Sequence, residues 1–231
     1  RSLLNAGIRV GVYKPVASGC VRTETMTPLT PAFSLREREE RDAPFLEKRE
    51  LISEDALTLW EAAGRPFTLE RVCPQLFEAP LAPHLAARAE GNEIDARLLR
   101  VGIKFWQANS DVVLVEGAGG LMSPLGDDEF VADLAYDLGY PLVVVSPNRL
   151  GTINATLQTL ITAATFRDGL EVAGIVLNDI AEQEGDVSTS SNLSELQKHA
   201  VPPVLAHVVR DASDFSESID WIQIANVGLT S

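Results

Sequence analysis

Residues 111–120 read Asp-Val-Val-Leu-Val-Glu-Gly-Ala-Gly-Gly, an apolar run that ends in one carboxylate and then in residues with almost no side chain. An uninterrupted β-branched and leucine run predicts a strand covered on both faces. Such strands belong to parallel sheets, whose ligands gather at the carboxyl ends. Glu116 is thereby delivered to a sheet edge. Gly117, Gly119 and Gly120 let backbone approach an anion closely, and Glu116 is placed to hold a cation beside it. A tight turn after a core strand, with a solvated glutamate, satisfies the same stretch.

The rest of the chain alternates between strand and helix patterns. Ser2 to Ala6 reads as the tail of a helix stopped by Gly7, and Ile8 to Tyr13 as a strand. From Val21 to Glu50 the pattern dissolves into Thr and Pro and then into the mixed-sign run Arg36 to Asp42, which predicts a solvated loop or short helix. Helical spacing returns at Ser53 to Ala63, with Ser53 as cap, at His84 to Glu90 and at Asp95 to Ala108. After the glutamate strand come a helix near Phe130 to Leu138, a strand Pro141 to Ser146 and a helix from about Thr152 to Phe166. A strand Glu171 to Leu177, a helix Leu193 to His199, a strand Val204 to Val208 and a terminal helix follow. This order predicts one α/β domain over residues 1–231, with a doubly wound, mostly parallel sheet flanked by helices.

Charge and cysteine content narrow the partners. With 19 basic and 33 acidic residues the net charge is −14, which argues against nucleic acid and against an anionic membrane. Cys20 and Cys73 are too few for a disulfide scaffold and predict a reducing, cytoplasmic setting. No stretch approaches the roughly 20 apolar residues of a membrane span, and no signal-like start is visible.

Four short constellations fall where strands end or helices begin. Lys14 follows the first strand and offers a mobile ammonium able to bridge anions, with Ser18 and Gly19 on the next turn. Asp55, near a helix start, can coordinate a metal together with Glu116, because magnesium takes one or two carboxylates beside phosphate oxygens and water. Leu-Gly-Thr-Ile-Asn at 150–154 is a glycine turn opening a helix whose free amides can hold a carboxylate. Asn178, before Asp179, can pair with a purine edge, since an amide both donates and accepts. Plainer roles remain open: a snorkelling strand-end lysine and an aspartate serving a helix dipole.

Taken in order, Tyr13-Lys14-Pro15-Val16-Ala17-Ser18-Gly19, Asp55-Ala56-Leu57, Pro83-His84, Val115 to Gly120, Leu150 to Asn154 and Asn178-Asp179 make the chain resemble the dethiobiotin synthetases, ATP-dependent ligases of biotin biosynthesis. The resemblance implies a P-loop NTPase-like fold and a homodimer. It also implies closure of a ureido ring on 7,8-diaminopelargonate with carbon dioxide and ATP, through a carbamoyl phosphate intermediate. By that resemblance Lys14 is catalytic, and Ser18 and the Gly151, Thr152, Ile153 and Asn154 turn bind the diamine, the turn acting across a twofold interface. Asp55 and Glu116 hold Mg2+ and, with Gly117, Ala118, Gly119, Asn178 and Asp179, form the nucleotide site. His84 is assigned to packing.

The chain departs from the family at one point. The family's phosphate loop precedes its first helix, yet no Gly-x-x-x-x-Gly-Lys-Ser/Thr occurs here, so the strand feeding that loop, a central one in this topology, is expected to lie upstream of Arg1. Val208-Val209-Arg210 also stands where the family has a proline-containing loop. Two other functions fit less of the sequence: a ligand-binding or regulatory domain of this fold without catalysis, and a related amide-forming ATPase.

Overall fold

In the computed structural model, residues 1–23, 50–180, 185–212, 214–215 and 218–226 are described, so the Arg36 to Asp42 run lies outside the described residues. Strand β1 (Val10–Tyr13) is buried at every position and pairs in parallel with β4 (Val112–Val115), Tyr13 standing opposite Val115. Helices α2 (Glu54–Ala62), α3 (Leu69–Val72) and α6 (Ile103–Asn109) pack on β1. Together they enclose Val12, Tyr13, Val72 and Trp106. Burying such side chains contributes about 1.5–3 kcal/mol each. The polar ends of the two aromatics are satisfied: Tyr13 donates its hydroxyl to Leu98 O at 2.8 Å and Trp106 its indole N–H to Arg71 O at 3.1 Å.

A second parallel sheet runs in the order β5 (Leu142–Pro147), β6 (Val172–Asn178), β7 (Val204–Val208), with α8 (Thr152–Thr165) and α9 (Thr189–His199) as its crossovers. The predicted α/β architecture with parallel strands is therefore present, but β4 and β5 are not paired to each other. This corrects the expectation that β4 is covered on both faces. Val112 is buried, whereas Leu114 is 46 % exposed and Val145 of β5 is 63 % exposed. β4 and β5 each have a hydrogen-bonded neighbour on one side only among the described residues, so their apolar residues are incompletely covered.

Other elements follow local chemistry. Ser53 caps α2 by accepting the Ala56 N–H, and Asp95 caps α5 (Ala96–Val101) through the Leu98 N–H. The predicted single helix from Asp95 to Ala108 is two, α5 and α6, meeting at Gly102. A methyl group there would lie 2.3 Å from the Tyr13 hydroxyl, so close approach to β1 selects glycine. Helix α4 (Pro83–Ala89) starts on a proline, helix α7 (Val131–Leu138) ends on the left-handed Gly139, and α1 (Ser2–Asn5) and α10 (Trp221–Asn226) are short. Helix α3 was not anticipated, nor was a ribbon near the stretch read as irregular. Val21–Thr23 (β2) and Glu50–Ile52 (β3) pair as that antiparallel ribbon. Among the described residues no helix is long and apolar enough to cross a membrane.

Candidate active site

The backbone after β1 is laced to the segment after α3. Lys14 donates its N–H to Val72 O at 2.8 Å, Ala17 to Gln75 O at 2.9 Å and Cys20 to Phe77 O at 3.0 Å. The lysine turn is thus held as firmly as a strand. Glu116 extends the parallel ladder by one step, its N–H reaching Tyr13 O at 2.9 Å, so the register alone sets Lys14 beside Glu116.

The side chains meet accordingly. Lys14 Nζ lies 2.6 Å from Glu116 Oε1, 3.1 Å from Asp55 Oδ2 and 3.4 Å from the Gly117 carbonyl. Lys14 is almost fully buried, while the two carboxylates are largely exposed, Asp55 at 65 % and Glu116 at 44 % of their side chains. Burial works against the ammonium, but the hydrogen bonds and charges of Glu116 and Asp55 outweigh it and hold the Lys14 pKa above its ordinary value. Lys14 is accordingly a fixed cation. Two acidic partners repay the desolvation that one buried lysine alone would not survive.

This cluster opens into a cavity of about 260 Å3, lined among others by Lys14, Ser18, Asp55, Gly119 and Ser123. Lys14, Ser18, Asp55, Ala118 and Gly119, singled out from three separate stretches, all line it. The glycines are there for space and for backbone shape. A methyl at Gly117 would lie 2.9 Å from Val131, and at Gly119, whose φ is +83°, 2.3 Å from Ser123 Oγ. Ser123 escaped the sequence reading because a lone serine after a glycine turn carries no signal. His84 Nδ1 lies 3.2 Å from Pro124 O, to which the ring can only donate. Asp55 and Glu116 suit a magnesium ion: both are carboxylates with partly exposed side chains, and magnesium takes few protein ligands when phosphate supplies the others.

The other two constellations lie outside this cavity, at the carboxyl end of the second sheet. Gly151 caps α8 with φ +92°; among the described residues the N–H groups of Ile153 and Asn154 have no acceptor, whereas the Thr152 N–H is taken by Arg149 O. Thr152 Oγ1 is buried and has no hydrogen-bond partner among the described residues. The Asn178 carboxamide is half-buried and has no hydrogen-bond partner among the described residues. Asp179 is not: its Oδ1 accepts Asn148 Nδ2 and pairs with His207 Nε2, both at 2.8 Å. Neither Asn148 nor His207 carried a sequence signal.

Comparison with known proteins places these features in a family. A family model described as an AAA domain, of the P-loop NTPase type, matches residues 2–213. A protein of Rhodopirellula baltica named ATP-dependent dethiobiotin synthetase is 38 % identical over 212 residues, covering 87 % of this chain and 73 % of its own. The chain belongs to the dethiobiotin synthetase family. A dethiobiotin synthetase of Bacillus licheniformis is 34 % identical over 78 % of this chain and 83 % of its own. One of Anaeromyxobacter dehalogenans is 44 % identical over 62 % of this chain and 63 % of its own. Dethiobiotin synthetases are ATP-dependent ligases of biotin synthesis.

Proposed function

We propose that the protein closes the ureido ring of dethiobiotin from 7,8-diaminopelargonate, carbon dioxide and ATP. The observation that carries this reading is the buried Lys14 ammonium, held between Glu116 and Asp55 at the wall of a cavity that also presents Ser18. In the reaction an amine nitrogen adds to carbon dioxide and loses a proton, giving a carbamate. A carbamate oxygen then attacks the γ-phosphorus, forming a carbamic-phosphoric anhydride and releasing ADP. The second amine attacks the carbonyl carbon, expels phosphate and loses its proton as the ring closes.

Lys14 acts wherever negative charge gathers, on the carbamate and on the phosphoryl oxygens, and because it is fixed before the substrate arrives no reorganisation is needed. Ser18 accepts or donates a hydrogen bond at the diamine. Asp55 and Glu116 hold magnesium, which when bound neutralises phosphate charge. Gly117, Ala118 and Gly119 keep that wall free of side-chain bulk for the nucleotide, and Asn178 offers its free carboxamide to the base. The amides of Ile153 and Asn154, with Gly151 and Thr152, receive the substrate's distal carboxylate from a second copy of the chain in a homodimer. We read the chain as one domain working in the cytoplasm.

The test is turnover of diamine, bicarbonate, ATP and magnesium, with the ring product followed by mass. Stoichiometric ADP and dethiobiotin is the expected outcome. Ligand binding without ADP release would instead identify a non-catalytic domain of the same fold, and ADP release independent of the diamine a different ATPase.

A further inference from the structure

Four polar side chains at the end of the second sheet, of which only Asp179 was singled out from the sequence, form a continuous chain. Asn192, 2 % exposed on α9, donates from Nδ2 to Asn148 Oδ1 at 2.9 Å and to Arg149 O at 3.2 Å. Asn148, 6 % exposed, donates its own Nδ2 to Asp179 Oδ1 at 2.8 Å and its backbone N–H to Asn178 O at 2.7 Å. His207 on β7 meets the same Asp179 oxygen at 2.8 Å. Three strand ends and one helix are thereby locked together. Sheet hydrogen bonds alone do not require this, since the strands are already in register below it.

What the cluster holds is more telling than the cluster itself. On one side it fixes Asp179, the chain neighbour of Asn178, while the Asn148 backbone extends the β5–β6 ladder onto Asn178 O; the Asn178 carboxamide is the base-recognition group proposed above. On the other it fixes residues 148 and 149, directly before the 151–154 turn. We infer that Asn148, Asp179, Asn192 and His207 are positioning residues that make the base site and the carboxylate turn one rigid unit. Asp179 therefore acts through Asn148 and not as a nucleotide ligand. Side-chain networks of this kind, here with Asn148 and Asn192 buried and Asp179 and His207 partly exposed, set orientation, and a partner lost from one end loosens groups at the other. Because the turn serves the second subunit, the unit ties one protomer's base site to its partner's diamine site. This inference rests on the functional reading above.

Kinetics of the purified protein test it. Both His207→Ala and Asn192→Ala should raise the apparent KM for ATP and for the diamine together by about tenfold while kcat stays within about twofold, since uniform binding and not chemistry is lost. His207→Gln, which keeps a donor toward Asp179, should restore both. A change in only one KM, in neither, or in kcat with both KM values fixed would overturn the inference. Should Asn192→Ala not fold, Asn192→Leu, close in volume, carries the same expectation. If the wild-type protein makes no ring product, the functional reading fails by itself. The positioning is then judged by calorimetric ATP binding, which His207→Ala must weaken and His207→Gln must not.

Discussion

Lys14 Nζ and Glu116 Oε1 stand 2.6 Å apart, and it is the cation that is buried and the anion that faces solvent. A surface ion pair has no such asymmetry. Here the lysine is a permanent part of the protein, and the carboxylate oxygens remain available to whatever enters the cavity.

Replacing Lys14 by Ala should lower turnover by about a hundredfold or more, because the charge that meets the phosphoryl group is gone. Thermal stability should change little, since the two exposed carboxylates are rehydrated at small cost. Parallel measurement of kcat and melting temperature checks this. Unaltered turnover would remove Lys14 from the mechanism.

The same lysine sets a pH expectation. Its folded pKa lies above the ordinary 10.5, so the native state holds the proton more tightly than the unfolded chain. The resulting stabilisation is fully present below about pH 10.5 and is lost as pH rises through the folded value. Denaturation curves from pH 6 to 9 should therefore show no step that Lys14→Met abolishes, whereas the alkaline loss of stability should be smaller in that variant.

Two neighbouring glycines should behave differently. Gly119→Ala places a methyl 2.3 Å from Ser123 Oγ on a backbone with φ +83°, and should cost about 1–2 kcal/mol together with much of the activity. Gly120→Ala meets nothing within 4 Å and should be nearly neutral. Urea midpoints of the two variants decide the point; equal losses would mean that the turn relaxes.

Asn154→Trp should raise the diamine requirement with ATP binding nearly intact, because the α8 start lies outside the lysine cavity. Sedimentation should show a dimer. A monomer that turns over normally would separate this helix start from the reaction.

Much of this molecule is written locally. The β-branched run at 112–115, the cap at Ser53, the turn glycines at 139 and 151 and the strand Val204–Val208 each act over a few residues, and the predicted elements agree with the observed ones to within a few positions. The β2–β3 ribbon and the single turn of α3 were missed for the converse reason: short polar strands far apart in sequence, and one helical turn, have no period to detect.

The sequence by itself determined the α/β class, the family and the residue types at each strand end, because these depend on short-range periodicity and on six ordered tags. Only the tertiary structure decided which of those residues meet. The parallel register that seats Glu116 beside Lys14, the close approach of Tyr13 that selects glycine at 102, and the four-residue network that commits Asp179 all join groups more than twenty residues apart. Such contacts follow from strand pairing and packing, which no local window contains.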